Sequence, residues 1–153
     1  MGVPATAPFV IPEIVFSRLP VVIGLRPCGY RDELDGWVRD QGFETFVTDE
    51  GREAVEWVRR TPRALSFLDH GLARVDGEEV WRVVRRVALE APDGVSDRSA
   101  GRGSVRGSRL VLMAAKRSNE LWVTALAEGV GALLPLPTER DVVLTALRVA
   151  GRI

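Results

Sequence analysis

The strongest constraint on the fold of this chain is an alternation, repeated five times, between a short apolar run and an amphipathic stretch. We predict strands at residues 20–25, 43–48, 64–69, 109–114 and 131–135, and helices at 31–41, 52–60, 78–89, 118–128 and from Thr138 onward. Strands that are joined by helices run parallel, with right-handed crossovers. The alternation therefore predicts an α/β fold, a flavodoxin-like (βα)5 doubly wound parallel sheet with strand order 2-1-3-4-5.

Two segments stand outside this alternation. Residues 1–19 are predicted to be an N-terminal extension that precedes a single domain at 20–153. Within it, Phe9–Phe16 carries six large apolar side chains and a proline, which favours an edge strand or an extended segment docked on the domain. Residues 91–108 are dominated by Gly, Ser, Pro and Arg. They are predicted to be a flexible insertion that tolerates shortening.

Composition argues against several classes of function. The 21 basic and 21 acidic residues cancel, so overall charge favours neither a nucleic acid nor a membrane surface as partner. One Cys and one His argue against a zinc site, and the single Cys fits a reducing, cytoplasmic location. No apolar run is long enough to span a membrane. Basic residues are in excess between Arg82 and Arg117, but the insertion has no aromatic residue to stack on bases, so we interpret it as a solvated loop.

The apolar run Ala64–Leu68 ends abruptly in the carboxylate of Asp69. In open α/β sheets, sites are built at the carboxyl ends of the strands, which makes Asp69 the main candidate site residue. His70 follows it, but no nucleophile accompanies it, and we interpret it as a loop histidine. The glycines at 101, 103 and 107 do not form a phosphate loop, because no Lys-Ser or Lys-Thr pair follows them.

From about residue 20 to 150 the chain resembles a CheY-like response-regulator receiver domain. Five motifs carry this resemblance in their order and spacing: Gly42-Phe43-Glu44, Leu68-Asp69, Asp76-Gly77, Glu128-Gly129-Val130 and Leu136-Pro137. The resemblance implies that Asp69 is equivalent to the phosphoacceptor. It also implies a cis bond between Leu136 and Pro137, since receivers commonly bend the chain in this way.

The chain departs from the receiver pattern around Asp69. Leu25 and Arg26 stand where receivers place the acidic pair that holds Mg²⁺, and Mg²⁺ needs oxygen ligands. Ala114 replaces the Ser or Thr, and Leu136 replaces the Lys. We therefore expect a degenerate pocket with no metal and no cofactor, in which Asp69 is inactive and Arg26 forms a structural salt bridge with it.

The two last predicted helices are apolar almost all round. If Val123, Val143 and Leu147 face the sheet, an apolar surface points outward, and such a surface usually marks a contact. Receivers use the face made by helix 4, strand 5 and helix 5 for dimers and outputs. The predicted interaction residues are Trp122, Leu126, Val142, Ala146 and Val149. The alternative is that residues 9–16 fold back and cover this face.

These observations predict a stand-alone, pseudo-receiver module of signal transduction, of the two-component type. It is not expected to be an enzyme. It would bind a protein partner or a second copy of itself as a homodimer, without Mg²⁺-dependent phosphorylation. Two alternatives stay open: a phosphoacceptor response regulator that uses Asp69, and a sensor that binds a small ligand in the vacated acidic pocket.

Overall fold

The computed structural model describes residues 20–61, 63–90, 109–116 and 118–151. The expectations for residues 1–19 and 91–108 therefore lie outside the described residues. The strands are β1 (Val21–Gly24), β2 (Thr45–Thr48), β3 (Leu65–Asp69), β4 (Leu110–Ala114) and β5 (Ala132–Pro135). The helices are α1 (Gly29–Asp40), α2 (Gly51–Arg60), α3 (Val80–Glu90), α4 (Asn119–Ala127) and α5 (Arg140–Gly151).

The strands form one parallel sheet in the order β2-β1-β3-β4-β5. This order confirms the predicted flavodoxin-like arrangement. In register, Gly24 of β1 lies beside Leu68 of β3, and Asp69 of β3 lies beside Met113 of β4. The carboxyl ends of the three central strands therefore meet at one edge of the sheet, where β3 delivers its carboxylate.

Each face of the sheet is covered by its own hydrophobic cluster. Side chains alternate along a strand, so Val21 and Ile23 face one side and Val22 faces the other. The cluster that contains Val21 and Ile23 also includes residues of α1 and α5. The cluster that contains Val22 includes residues of α2, α3 and α4. Strands buried on both faces explain the near-continuous apolar runs in the sequence.

Helix ends follow from local chemistry. Gly42 and Gly129 have positive φ values of 91° and 87°, the conformation in which glycine most readily ends a helix. The hydroxyl of Ser118 accepts a hydrogen bond from the backbone N–H of Leu121 at 3.0 Å and caps α4.

The start of α3 differs from the sequence prediction, since the helix begins at Val80 and not at residue 78. Val75 and Glu78 exchange backbone hydrogen bonds across a tight turn. Asp76 and Gly77 occupy that turn with φ values of 51° and 82°. The backbone groups that a helix would need at this point are therefore already used by the turn.

The predicted orientation of α4 was wrong at Val123, which is 62% exposed and does not face the sheet. Ala125 is the residue of α4 that is fully buried, and Val123 lies two positions away, on the opposite side of the helix. Because α4 is apolar almost all round, its sequence pattern did not indicate which side would be covered.

The predicted outward position of Ala146 in α5 was also wrong, since Ala146 is only 8% exposed. It lies on the same stripe as Val143, Leu147 and Ala150, at the i, i+3, i+4, i+7 spacing of one helix face. Ala146 therefore belongs to the core.

The peptide bond between Leu136 and Pro137 is cis, as predicted. Within the described ranges, the structure contains no helix that is both long and apolar enough to cross a membrane.

Candidate functional site

The candidate site lies at the carboxyl edge of the sheet, where β1 and β3 are neighbours. Asp69 is the last residue of β3, and Arg26 follows β1 by two positions. The parallel register brings these two residues together although 43 positions separate them in sequence. The structure thus places the residue that replaces one of the acidic pair directly on the candidate phosphoacceptor.

Arg26 and Asp69 form a bidentate salt bridge. The Nε of Arg26 donates to Oδ2 of Asp69 at 2.8 Å, and its Nη2 donates to Oδ1 at 3.2 Å. The backbone N–H of Arg26 adds a longer contact of 3.3 Å to Oδ2. Paired donors of this kind match the planar fork of a guanidinium to a carboxylate.

A fourth donor to the carboxylate is the backbone N–H of Gly71, which lies 2.7 Å from Oδ1. Each oxygen of Asp69 therefore accepts two hydrogen bonds. An ionised carboxylate offers about four acceptor positions, so this set of donors occupies the side chain fully.

The two partners differ in exposure. The side chain of Asp69 is 1% exposed, and that of Arg26 is 53% exposed. The hydrogen bond and the negative charge of Asp69 raise the pKa of Arg26 further above its ordinary value. Arg26 therefore remains a cation throughout the range in which the protein would work, and it covers a carboxylate that water barely reaches.

The other three positions of the predicted degenerate pocket are apolar and mostly enclosed. Leu25 is fully buried in the cluster beneath α1 and α5. Ala114 is 1% exposed, and its carbonyl accepts a hydrogen bond at 3.0 Å from the backbone N–H of Leu136. Leu136 packs partly buried against the same cluster as Leu25. These side chains bring no oxygen or charge to Asp69.

His70 takes part in a network of polar side chains beside the site. Its Nε2 lies 3.3 Å from Oε2 of Glu79, and Arg82 joins Glu79 to Glu128, at the end of α4. This network was not predicted, because its members come from three separate segments of the chain. It supports the interpretation of His70 as a loop residue with a polar partner.

A second candidate is the outer apolar surface, which we define as the exposed side chains of Trp122, Val123, Leu126, Val142 and Val149 on α4 and α5. Their exposed fractions run from 37% at Val142 to 62% at Val123. Four of the five predicted interaction residues are exposed, and Ala146 is excluded by its burial. Val123, which was predicted to be buried, extends the surface.

In the part of the chain that the structure describes, no three His, Cys, Asp or Glu residues lie together as a metal site would require.

Comparison with known proteins identifies the fold. No protein-family model matches the chain, and no curated protein matches its sequence. Solved structures do match. The BeF3-activated N-terminal receiver domain of RstA from Klebsiella pneumoniae has a TM-score of 0.66 and 18% identity, over 88% of this chain and 99% of that chain.

Two further solved structures match the chain to a similar extent. A response regulator from Thermotoga maritima matches with a TM-score of 0.63 and 18% identity, over 88% of this chain and 99% of that chain. The beryllofluoride-activated NtrC4 receiver domain dimer matches with a TM-score of 0.67 and 14% identity, over 87% and 96%. At this level of identity the likeness concerns the fold.

Proposed function

We propose that this chain, which has the fold of a response-regulator receiver domain, is a regulatory module that binds proteins and does not use Mg²⁺-dependent phosphorylation of Asp69. The module spans residues 20–153. Its contact is the outer apolar surface, and its partner is another protein or a second copy of the chain. It regulates by binding and carries out no reaction of its own.

The observation that carries this proposal is the saturated carboxylate of Asp69. Transfer of a phosphoryl group needs a free carboxylate oxygen and a cation that neutralises the charge of the group. Here both oxygens already accept hydrogen bonds from Arg26, and Oδ1 also accepts one from Gly71. A Mg²⁺ ion would additionally require oxygen ligands, and Leu25, Ala114 and Leu136 supply none from their side chains.

The test is incubation of the full chain with acetyl phosphate and Mg²⁺, followed by intact-mass measurement. We expect no phosphoryl adduct, and calorimetry at millimolar Mg²⁺ should show no saturable binding. An Asp69→Ala variant is the matched control. A phosphoryl adduct, or a Mg²⁺ site, that is present in the natural chain and lost in this variant would contradict the proposal and establish Asp69 as a phosphoacceptor.

The contact surface is supported by its composition and its place in the fold. Trp122 and Leu126 lie one helical turn apart on α4, and Val142 and Val149 share a side of α5, so each of the two helices presents its own group of exposed apolar side chains. Burying apolar surface gains roughly 25 cal/mol per Å². The NtrC4 receiver, which has the same fold, was solved as a dimer. This supports self-association as one form of the proposed contact.

A further inference from the structure

We infer that Gly71 and Arg26 act as one unit, a plug that closes the Asp69 carboxylate to solutes. In this unit Gly71 is the positioning residue that lets the guanidinium occupy its place. The inference rests on the proposed function in one respect, since it explains how Asp69 is kept out of reaction. It adds a residue that neither the motifs nor the departures from them single out.

The first step is the closeness of Gly71 to the guanidinium. A Cβ placed on Gly71 would lie 2.4 Å from both Cζ and Nη2 of Arg26 and 2.9 Å from Nη1. Real Cβ atoms essentially never approach other heavy atoms so closely. Any side chain at position 71 would therefore compete with the guanidinium for the same space.

The second step is that the backbone conformation of Gly71 does not itself require glycine. Its φ is not among the positive values of the described chain, which occur at Asp76 and at three other glycines. Alanine can therefore adopt this backbone conformation. The hydrogen bond of Gly71 to Asp69 is donated by its backbone N–H, and alanine would retain it. The space taken by the guanidinium is then the specific reason for glycine here.

The third step concerns what the guanidinium covers. The carboxylate of Asp69 is 1% exposed although it ends a strand at the open edge of the sheet, where Arg26 itself is 53% exposed. A partly exposed side chain that lies over a nearly inaccessible carboxylate shields it from the solvent. Displacing the guanidinium should therefore expose Asp69 while the sheet stays intact.

The experiment is chemical labelling of carboxylates with a water-soluble carbodiimide and glycinamide, with the adduct at Asp69 quantified by peptide mass spectrometry. The variants are Gly71→Ala, Arg26→Ala and the double variant. Gly36→Ala is the matched control, because a Cβ at Gly36, within α1, would meet nothing within 4 Å. Circular dichroism verifies that each variant is folded.

We expect Gly71→Ala to raise the labelling of Asp69 by about tenfold or more, the factor that about 1.4 kcal/mol represents in an equilibrium. Arg26→Ala should give a similar increase, Gly36→Ala should label as the natural chain does, and the double variant should label no more than Arg26→Ala. That non-additivity is the signature of two residues that act through one contact.

The inference is overturned if Gly71→Ala leaves Asp69 as protected as before, or if the double variant labels well beyond Arg26→Ala. If Gly71→Ala does not fold, recovery of folding in the double variant supports the plug, and failure to recover overturns it. These outcomes do not depend on the outer apolar surface. Loss of the plug and loss of the proposed binding function can therefore be told apart.

Discussion

At the level of single residues, Arg26 supplies three of the four hydrogen bonds that the Asp69 carboxylate accepts at the carboxyl edge of the sheet. Burying an ionised carboxylate without a partner destabilises the folded state, and a nearby cation and hydrogen bonds offset this loss of free energy. In this chain Arg26 supplies the cation, and Gly71 supplies an additional N–H. The arrangement stabilises Asp69 in place and, by the same contacts, occupies the oxygens that a reaction would need.

A second residue at this level gives a pH-dependent prediction. Tyr30 is half-buried, and its hydroxyl donates to the carbonyl of Thr138 at 2.9 Å, which joins the start of α1 to the loop before α5. Burial raises the pKa of Tyr30 above its ordinary value of 10.0. Because Tyr30 is the only tyrosine of the chain, the ultraviolet absorbance of its phenolate can be titrated without overlap from another tyrosine.

We expect the folded chain to form tyrosinate at a higher pH than the urea-unfolded chain. A raised folded pKa means that the stabilisation is fully present below the unfolded pKa. It is lost as the pH rises from about 10 through the folded pKa. The free energy of unfolding should therefore fall in this alkaline window, and less so in Tyr30→Phe. Coincident titrations of the folded and unfolded chains would contradict this prediction.

At the level of elements, α4 has a side-chain cap and little buried surface, so we expect it to depend more on its cap than the other helices do. Ala125 is its one fully buried side chain among the described residues, so packing secures it weakly. The Ser118 hydroxyl satisfies the N–H of Leu121, which would otherwise lack a partner within the helix.

We predict that Ser118→Ala lowers the free energy of unfolding by about 1 kcal/mol, the usual effect of losing such a cap. Urea titration measures this, and hydrogen exchange should show faster opening in α4 than elsewhere. Thr145→Ala is the control, because Thr145 is exposed within α5 and its hydroxyl only donates back to the carbonyl of Asp141. Equal losses in the two variants would count against a specific role for the cap.

At the level of the whole molecule, we predict that the outer apolar surface decides whether the chain associates. Trp122 is 43% exposed and Val123 is 62% exposed, so aspartate at either position should leave the core intact. Tryptophan residues commonly dominate the binding energy of interfaces. We therefore expect the free chain to self-associate or to capture a protein partner through this face.

Trp122→Asp and Val123→Asp should each weaken that association by at least about tenfold, which is about 1.4 kcal/mol. Light scattering over a range of concentrations measures self-association, and affinity capture measures a foreign partner. Val47→Asp is the control, because Val47 is 38% exposed on β2, at the opposite edge of the sheet. Association that survives both substitutions, or that Val47→Asp weakens equally, would contradict the assigned surface.

The sequence by itself determined the elements and their arrangement. The alternation of apolar strands with amphipathic helices is a local pattern, and the rules for parallel strands allow few ways of joining them. The order β2-β1-β3-β4-β5 and the placement of Asp69 at the carboxyl edge followed from that pattern. The sequence also showed that positions 25, 26 and 114 carry no acidic or hydroxyl side chain, because this depends only on the identities of Leu25, Arg26 and Ala114.

The tertiary structure decided what no local pattern records. Which side of α4 meets the sheet could not be predicted, since a helix that is apolar all round has no distinct face, and Val123 was misplaced for that reason. Gly71 and Arg26 lie 45 positions apart in sequence, and a Cβ placed on Gly71 would lie only 2.4 Å from the guanidinium. This closeness exists only after the sheet has brought β1 and β3 side by side.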